Sequence, residues 1–146
     1  MPALFVNNLS VIDFAYFCPR NGIVGESLIL DVELFGELND EGMLFDFSFV
    51  KKRIKSCVDD LVDHKLLVAT KNEFSSIKRT HDNLALSLRM DNETVIYHNS
   101  PNQAVCLIDA SEINSESIKQ LIQDEVAKIL PSNVTSTKIG LRIETI

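Results

Sequence analysis

The chain has 146 residues, 45% of them hydrophobic and 24% charged, which is the composition of one globular domain with a core large enough to fold without cross-links. Its net charge of −7 argues against nucleic acid or an anionic membrane surface as a partner, because both attract clustered Lys and Arg. One basic cluster falls on a predicted helix and is interpreted as a solvated face; it consists of Lys51, Lys52, Arg53 and Lys55.

The cysteine pattern favours a reducing compartment. Cys18, Cys57 and Cys106 are odd in number and form no CxxC pair, which is unlike a disulfide framework. No stretch of the sequence resembles a secretory signal, and no apolar run is long enough to span a bilayer. We therefore expect a cytoplasmic protein.

Two strands are predicted in the first third of the chain. Leu4–Phe14 is the less regular one, whereas Ser27–Phe35 places four apolar residues on one face and Asp31 and Glu33 on the other. Pairing of the two as a hairpin is the simplest arrangement. The connection from Cys18 to Gly25 contains Pro and Gly and is predicted to be a loop with room for function.

A helix follows the breaker-rich segment Glu37–Gly42. Asp46 or Ser48 can cap its N-terminus, and apolar residues then recur at helical spacing until Asp63 and His64. The apolar positions are Val50, Ile54, Cys57, Val58, Leu61 and Val62.

The remaining sequence predicts a meander, a second helix and a final strand. The meander consists of Leu84–Met90, Thr94–His98 and Ala104–Ile108, the helix of Ser115–Leu130, and the strand of Val134–Ile146. This order predicts an α+β fold in a single domain, residues 1–146, with an antiparallel sheet covered by two helices on one face.

Asp63 and His64 are the residues best suited to chemistry. A histidine titrates near neutral pH, and a neighbouring carboxylate can orient it, which is the composition of a general acid/base unit. Adjacent residues on a helix do not face each other, so direct contact requires the helix to break at this point. From the residues alone, a structural helix end with His64 as a C-terminal cation is the competing interpretation.

The surroundings of this pair resemble a known family. Gly42–Phe47, the following helix and Leu61–Leu67 resemble the Gly-Met-Val-x-Asp-Phe, helix, Leu-Asp-His-x-x-Leu signature of the 6-pyruvoyl-tetrahydropterin synthase and 6-carboxytetrahydropterin synthase family. Glu144 with Thr145 resembles the closing Glu-Thr of that family. The segment Asn114–Glu116 is a weaker echo of its Pro-Thr-x-Glu-Asn motif.

The resemblance implies a tunnelling fold. It predicts a four-stranded antiparallel sheet with two helices on one face and a small extra strand region, in chains that assemble as trimers and hexamers. It also implies a pterin bound through the carboxylate of Glu144 with Thr145 beside it, and Glu116 as a weaker ligand-binding candidate. One carboxylate can accept two N–H bonds from a guanidine-like pterin edge.

The sequence departs from the family at the zinc site. The family holds zinc with three histidines, and their positions correspond here to Tyr16, Val24 and Glu26. Valine offers no ligand atom, and one carboxylate cannot form a three-ligand site, so we predict neither zinc nor another cofactor. Cys18 lies about two positions from the family's catalytic loop cysteine, where Arg20 stands, and is the third catalytic candidate beside Asp63 and His64.

The remaining cysteines and histidines are not assigned to the candidate site. Cys57 and Cys106 are expected in the core, and His81 and His98 on the surface.

Three functions follow from the resemblance. The first is a diverged member that binds a pterin- or purine-like ligand without the zinc-dependent lyase reaction. The second is an active carbon–oxygen lyase with an atypical metal site, for example one that uses Glu26. The third is a noncatalytic oligomeric scaffold or a fragment of a longer protein, which assembles through sheet edges.

Overall fold

The computed structural model describes residues 3–36, 47–131 and 134–144. Its helices and strands are, in chain order, β1 (Ala3–Cys18), β2 (Gly22–Gly36), α1 (Phe47–Val62), β3 (Leu66–Ala69), β4 (Ser75–Arg79), β5 (Asn83–Arg89), β6 (Val95–Pro101), a 3-10 turn (Asn102–Ala104), β7 (Val105–Ile108), α2 (Ser115–Ala127) and β8 (Val134–Ile143). Neither helix in this part of the chain is long and apolar enough to cross a membrane.

The chain divides into two compact units. The first joins residues 1–12, 27–61 and 119–146, and the second joins residues 13–26 and 62–118. The strands β1 and β2 are neighbours, and each runs through both units. The single domain expected from the sequence stays a prediction.

The first unit contains the regular strand pair of the molecule. The second half of β2 runs antiparallel to β8, from Leu28 opposite Ile143 to Gly36 opposite Val134. The alternation in the second half of β2 is the one that the sequence predicts, because every second side chain from Leu28 to Leu34 is buried. The buried residues are Leu28, Leu30, Val32 and Leu34.

Both helices are amphipathic, as their spacing predicts. The helix α1 buries Val50, Ile54, Val58 and Val62, and α2 buries Ile118, Ile122 and Val126. Residues four apart lie on the same face, so each helix presents one apolar stripe. In the first unit, the Gln123 side chain ties α2 to β8, since it donates to the Thr137 carbonyl and accepts from the Ile139 N–H.

The second unit is built around β3, which the sequence analysis did not predict. This short strand is parallel to β1 on one side and to β7 on the other: Ala15 is opposite Leu66, and Leu66 is opposite Val105. Buried parallel strands read as short continuous apolar runs without alternation, and Leu-Leu-Val-Ala is such a run.

The same unit contains a separate three-stranded antiparallel sheet, in the order β4-β5-β6. Its inner face packs on Phe17 and Val68 in one hydrophobic cluster. The buried residues that this sheet contributes to the cluster are Leu84, Leu86 and Leu88.

Three sequence-based expectations need correction. The main sheet is mixed and has five strands, because β1, β3 and β7 are parallel neighbours, where four antiparallel strands were expected. The predicted meander holds for β5 and β6, but β7 leaves it and pairs with β3. The predicted loop Cys18–Gly25 is mostly strand: only Pro19–Asn21 form the turn, and Gly22 follows at φ +82°, a conformation that glycine adopts easily.

Candidate functional site

The Asp63–His64 pair lies where α1 ends. The helix stops at Val62, and His64 adopts a left-handed backbone at φ 59°. A left-handed residue just past the last turn is a common way to end a helix, although glycine usually occupies it. The sharp change of direction brings the two adjacent side chains together, with 3.8 Å between His64 Nε2 and Asp63 Oδ2. The break that direct contact requires is therefore present.

Strand β1 fixes the position of this pair. The Asp13 N–H donates to Asp63 Oδ1 at 2.9 Å, and the His64 N–H donates to the Asp13 carbonyl at 2.7 Å. The Ala15 N–H donates to the Lys65 carbonyl at 3.0 Å, which continues the same connection into β3. Both residues are thus held by the backbone of Asp13.

Asp13 adds a third polar group to the site. Ligand atoms of Asp13, Asp63 and His64 all lie within 4.8 Å of one another. The sequence analysis did not select Asp13, and its place in a strand of alternating apolar residues gave no signal, since the contact depends on pairing with a segment far along the chain. The arrangement is two carboxylates beside one imidazole.

The site is open to solvent. The side chain of His64 is 78% exposed and that of Asp63 is 20% exposed. An exposed imidazole next to a fixed carboxylate can exchange a proton with water or with a bound molecule. The distance of 3.8 Å makes this an ion pair when His64 is protonated, rather than a hydrogen bond.

The hairpin of β1 and β2 gathers a second group of candidates. Burial raises the pKa of Tyr16, and electrostatic interactions with Cys18 and Glu26 raise it further. Tyr16 therefore stays a neutral phenol at physiological pH. Val24, also half-buried in β2, carries no donor atom. One neutral phenol, one carboxylate and a valine do not fit zinc.

The predicted anchor carboxylate lies at the end of β8. The Glu144 N–H donates to the Ser27 carbonyl at 3.1 Å, which extends the pairing with β2 by one residue, and its side chain is exposed. Thr145 lies outside the described residues, as do Gly42 and Met43 of the central motif. The backbone of Glu144 is thus fixed while its carboxylate faces solvent.

The weaker motif at the start of α2 has a structural role. Asn114 caps the helix, because its Oδ1 accepts from the Ser117 N–H at 2.8 Å while Ser117 Oγ accepts from the Asn114 N–H at 2.9 Å. Glu116 lies exposed in the first turn. Reciprocal capping accounts for Asn114 and Ser117 without a ligand.

Residues 19–142 match the sequence profile of the family described as 6-pyruvoyl tetrahydropterin synthase. The chain belongs to this family. Two putative 6-carboxy-5,6,7,8-tetrahydropterin synthases are similar to it: that of Pyrococcus horikoshii is 27% identical over 124 residues, and that of Pyrococcus abyssi is 26% identical over 115 residues. These alignments cover 85% and 79% of this chain but 69% and 64% of the relatives.

Solved structures of the 6-pyruvoyl tetrahydropterin synthase family share its fold. The 6-pyruvoyltetrahydropterin synthase of Plasmodium vivax superposes with a TM-score of 0.68 at 16% identity, over 98% of each chain. An uncharacterized protein from Wolinella succinogenes has a TM-score of 0.54 at 14% identity, over 99% of this chain and 100% of its own. The predicted α+β tunnelling fold is confirmed.

The other residues assigned from the sequence have mixed outcomes in this family member. Cys106 is buried and His81 is exposed, as predicted. Cys57 is only half-buried, and burial raises the pKa of its thiol, with Glu125 and Asp60 adding to the effect. His98 was expected on the surface but is half-buried, and its Nε2 is enclosed without a hydrogen-bond partner among the described residues. His98 was misassigned because three of the seven β6 residues, His98 among them, are partly buried.

The basic cluster of α1 is exposed, as predicted. Lys51, Lys52, Arg53 and Lys55 all lie on the outer face of the helix. Lys55 pairs with Asp59 at 2.6 Å, one turn further along.

Proposed function

We propose that this protein binds a pterin- or purine-like ligand through the carboxylate of Glu144 and does not carry out the zinc-dependent lyase reaction. The observation that carries the proposal is the family match over residues 19–142. Tyr16, Val24 and Glu26 stand where the family has its three zinc-binding histidines, and this supports the proposal that the lyase reaction is not carried out. Zinc polarises substrate oxygens only when the protein holds it with suitable ligands.

Glu144 has the properties that such an anchor needs. Its exposed carboxylate can accept two parallel N–H bonds from the amino-pyrimidine edge shared by pterins and guanine, which fixes both position and orientation. Its backbone bond to Ser27 limits the movement of the strand end. Binding then requires little ordering of the main chain.

Asp63 and His64 supply proton transfer in this proposal. His64 Nε2 accepts or releases the proton, and Asp63, held by the Asp13 N–H, stabilises the charged imidazolium. Cys18 is the proposed third participant in proton transfer, and Glu116 a further proposed ligand contact. Without a metal, the pair lacks the electrophile that lowers the barrier of the family reaction, so any activity is slow or of a different kind.

The binding proposal is tested by thermal unfolding in the presence of sepiapterin, biopterin, guanine and guanosine. A ligand that binds only the native state raises the melting temperature, and at a hundred times its dissociation constant it stabilises by about 2.7 kcal/mol. Glu144→Gln removes the charge but keeps the shape, and should abolish the shift. Glu73→Gln changes another exposed carboxylate and serves as the control. If none of the compounds raises the melting temperature of the unmodified protein, the ligand-binding proposal fails and the scaffold alternative is favoured.

A metal-dependent lyase is the alternative that the Asp13, Asp63 and His64 cluster keeps open, since its ligand atoms lie within 4.8 Å of one another. Zinc content of protein purified without chelator decides between the two. We expect far less zinc than one ion per chain. Stoichiometric zinc that is lost in Asp63→Asn would contradict the proposal and favour a carbon–oxygen lyase with an atypical metal site.

Self-association and location complete the proposal. We infer a homo-oligomer, a trimer or a hexamer, because among the described strands β7 pairs only with β3, and β8 only with β2, which leaves strand edges for partner copies. Light scattering tests this against the chain mass of 16.4 kDa. No disulfide joins Cys18, Cys57 and Cys106, which supports the proposed cytoplasmic location.

A further inference from the structure

The second unit contains a cavity, and Cys18 is the one residue of the proposed function that lines it. Its volume is about 160 Å³, and it lies where β1, β3 and β7 end, next to Cys18, Ala69 and Ser111. Because β3 is parallel to both neighbours, the carboxyl ends of all three strands meet there. In sheets with parallel strands, ligands bind in the crevice outside these ends.

The loops around this cavity are fixed by hydrogen bonds. Asn72 is central: its Nδ2 donates to the Ser111 carbonyl at 2.9 Å, and its Oδ1 accepts from the N–H groups of Phe74 and Ser75 at 2.9 and 3.1 Å. The Thr70 N–H donates to the Ile108 carbonyl at 2.9 Å. The cavity is therefore preformed, and a ligand does not have to order its walls.

Ser75 gives the cavity an unused polar group. Ser75 Oγ is buried and has no hydrogen-bond partner among the described residues, although the residue lines the cavity. Buried hydroxyl groups in native proteins are almost always paired with protein, water or ligand. Because Oγ is covered, Ser75 would adopt another side-chain rotamer to hydrogen-bond a molecule bound in the cavity, and that bond would satisfy this group.

The other lining residues restrict the chemistry of that molecule. Phe17, Phe74 and Ile113 provide apolar walls, and Glu112 provides a carboxylate. Within the described chain, neither Lys nor Arg lines the cavity. An anionic ligand would meet a like charge and no compensating cation, whereas a neutral or cationic hydrogen-bond donor suits both Glu112 and Ser75.

We propose that this cavity binds a single six-membered aromatic ring, neutral or positively charged, that carries one hydrogen-bond donor, as phenol and aniline do. Its volume is close to that of an engineered 150 Å³ cavity that accepts benzene, so one six-membered ring matches the cavity in size. Glu144 does not line the cavity, and the proposal is therefore independent of the proposed pterin site.

Titration of the protein with phenol, aniline and benzoate, followed by two-dimensional NMR, tests this proposal. We expect millimolar binding of phenol and aniline and much weaker binding of benzoate. Ser75→Ala should weaken phenol binding about three- to tenfold, the size of one net hydrogen bond. Ser76→Ala, on the exposed side of the same strand, is the matched control and should change nothing.

Two further variants keep the test decisive. Ser111→Trp changes an exposed residue at the opening of the cavity, so we expect the fold to be retained. The larger side chain should close the opening and abolish the binding of phenol and aniline. Glu144→Gln should leave ring binding unchanged, which separates this result from the outcome of the pterin test. The proposal is overturned if phenol and aniline do not bind, if benzoate binds as well as they do, or if Ser75→Ala and Ser111→Trp bind them like the unmodified protein.

Discussion

The left-handed backbone of His64 lowers the stability of the fold at a residue proposed to have a function. A side chain with a Cβ costs about 1–2 kcal/mol in this conformation, whereas glycine adopts it without strain. After allowance for the greater freedom of glycine in the unfolded chain, His64→Gly should raise the free energy of unfolding by about 0.5–1 kcal/mol. Urea denaturation measures this change.

His64→Ala is the control for that prediction. It removes the imidazole but keeps the Cβ, so it should give no gain in stability. Equal stabilisation by Ala and Gly would show that the imidazole, and not the backbone, is the source of strain. A histidine kept where glycine is more stable is what a functional role for the side chain predicts.

Asp63 contributes to structure through one oxygen. Asp63→Ala leaves the Asp13 N–H without its protein acceptor and should lower the free energy of unfolding by about 1 kcal/mol. Asp63→Asn keeps a side-chain oxygen in the same place and should lose much less, while it removes the charge beside His64. Chemical denaturation of both variants checks this, and an equal loss in the two would mean that the charge, not the hydrogen bond, carries the effect.

Between elements, the side chain of Asn72 connects the loop after β3 to the loop after β7. Asn72→Ala removes the acceptor for Phe74 and Ser75 and the donor to Ser111, so we expect a loss of about 2–3 kcal/mol. Asn72→Asp keeps the acceptor oxygen and loses only the donor, and it should fall between Ala and the unmodified protein. Thermal unfolding gives the order of the three. An Asp variant as unstable as Ala would contradict this account.

A charge cluster joins β2 and β8 across their pairing. Arg142 donates to both oxygens of Asp31 at 2.6 and 3.0 Å, and the Asn8 N–H donates to Asp31 Oδ1 at 2.8 Å. The Arg142 hydrogen bond is the main cause that holds the pKa of Asp31 below its ordinary value, against the opposing effect of burial.

The direction of the pH dependence follows from this shift. The unfolded chain binds the proton more readily than the folded one, so the contribution of Asp31 is complete above pH about 4 and is lost as the pH falls through the lower folded-state pKa. The free energy of unfolding can be measured from about pH 7 down to about pH 2, a range that includes the ordinary Asp pKa of about 3.9. Over this range we expect it to fall less steeply for Asp31→Asn than for the unmodified protein. Parallel profiles of the two proteins would contradict this assignment.

Elements with a strong period could be predicted from the sequence, and short buried ones could not. The apolar spacing of Val50, Ile54 and Val58 gave α1, and the alternation from Leu28 to Leu34 gave β2. Strand β3 has neither period, since both of its faces are buried and its partners are distant in sequence. Its omission also led to the wrong strand direction in the sheet.

The candidate site likewise contains residues that the sequence identifies and residues that it does not. Asp63 and His64 form a motif of adjacent residues, so the sequence identifies them. Asp13 joins them only through the pairing of β1 with the segment after α1, and no local pattern encodes that contact. Ser75 and Asn72 likewise acquire their roles from the meeting of three strand ends.

The charge of the whole molecule bears on its proposed assembly. Each chain carries a net charge of −7, so bringing three or six copies together is opposed by mutual repulsion. Raising the ionic strength from about 0.01 M to about 0.15 M shortens the Debye length from about 30 Å to about 8 Å and should shift the mass measured by light scattering toward the oligomer. A mass that falls with added salt would show that ion pairs between copies hold the assembly.

The central position of β3 also determines how the second unit can form from an unfolded chain. Strands β4, β5 and β6 pair with their neighbours in sequence, whereas β3 needs Ala15 and Val105 in place before its hydrogen bonds close. Contacts between distant segments form slowly because the loops between them must be closed first. In pulse-labelling hydrogen exchange we therefore expect the amides of β5 to gain protection before those of Leu66–Ala69. Until then this apolar segment stays uncovered, and the yield of refolding should fall as the protein concentration rises.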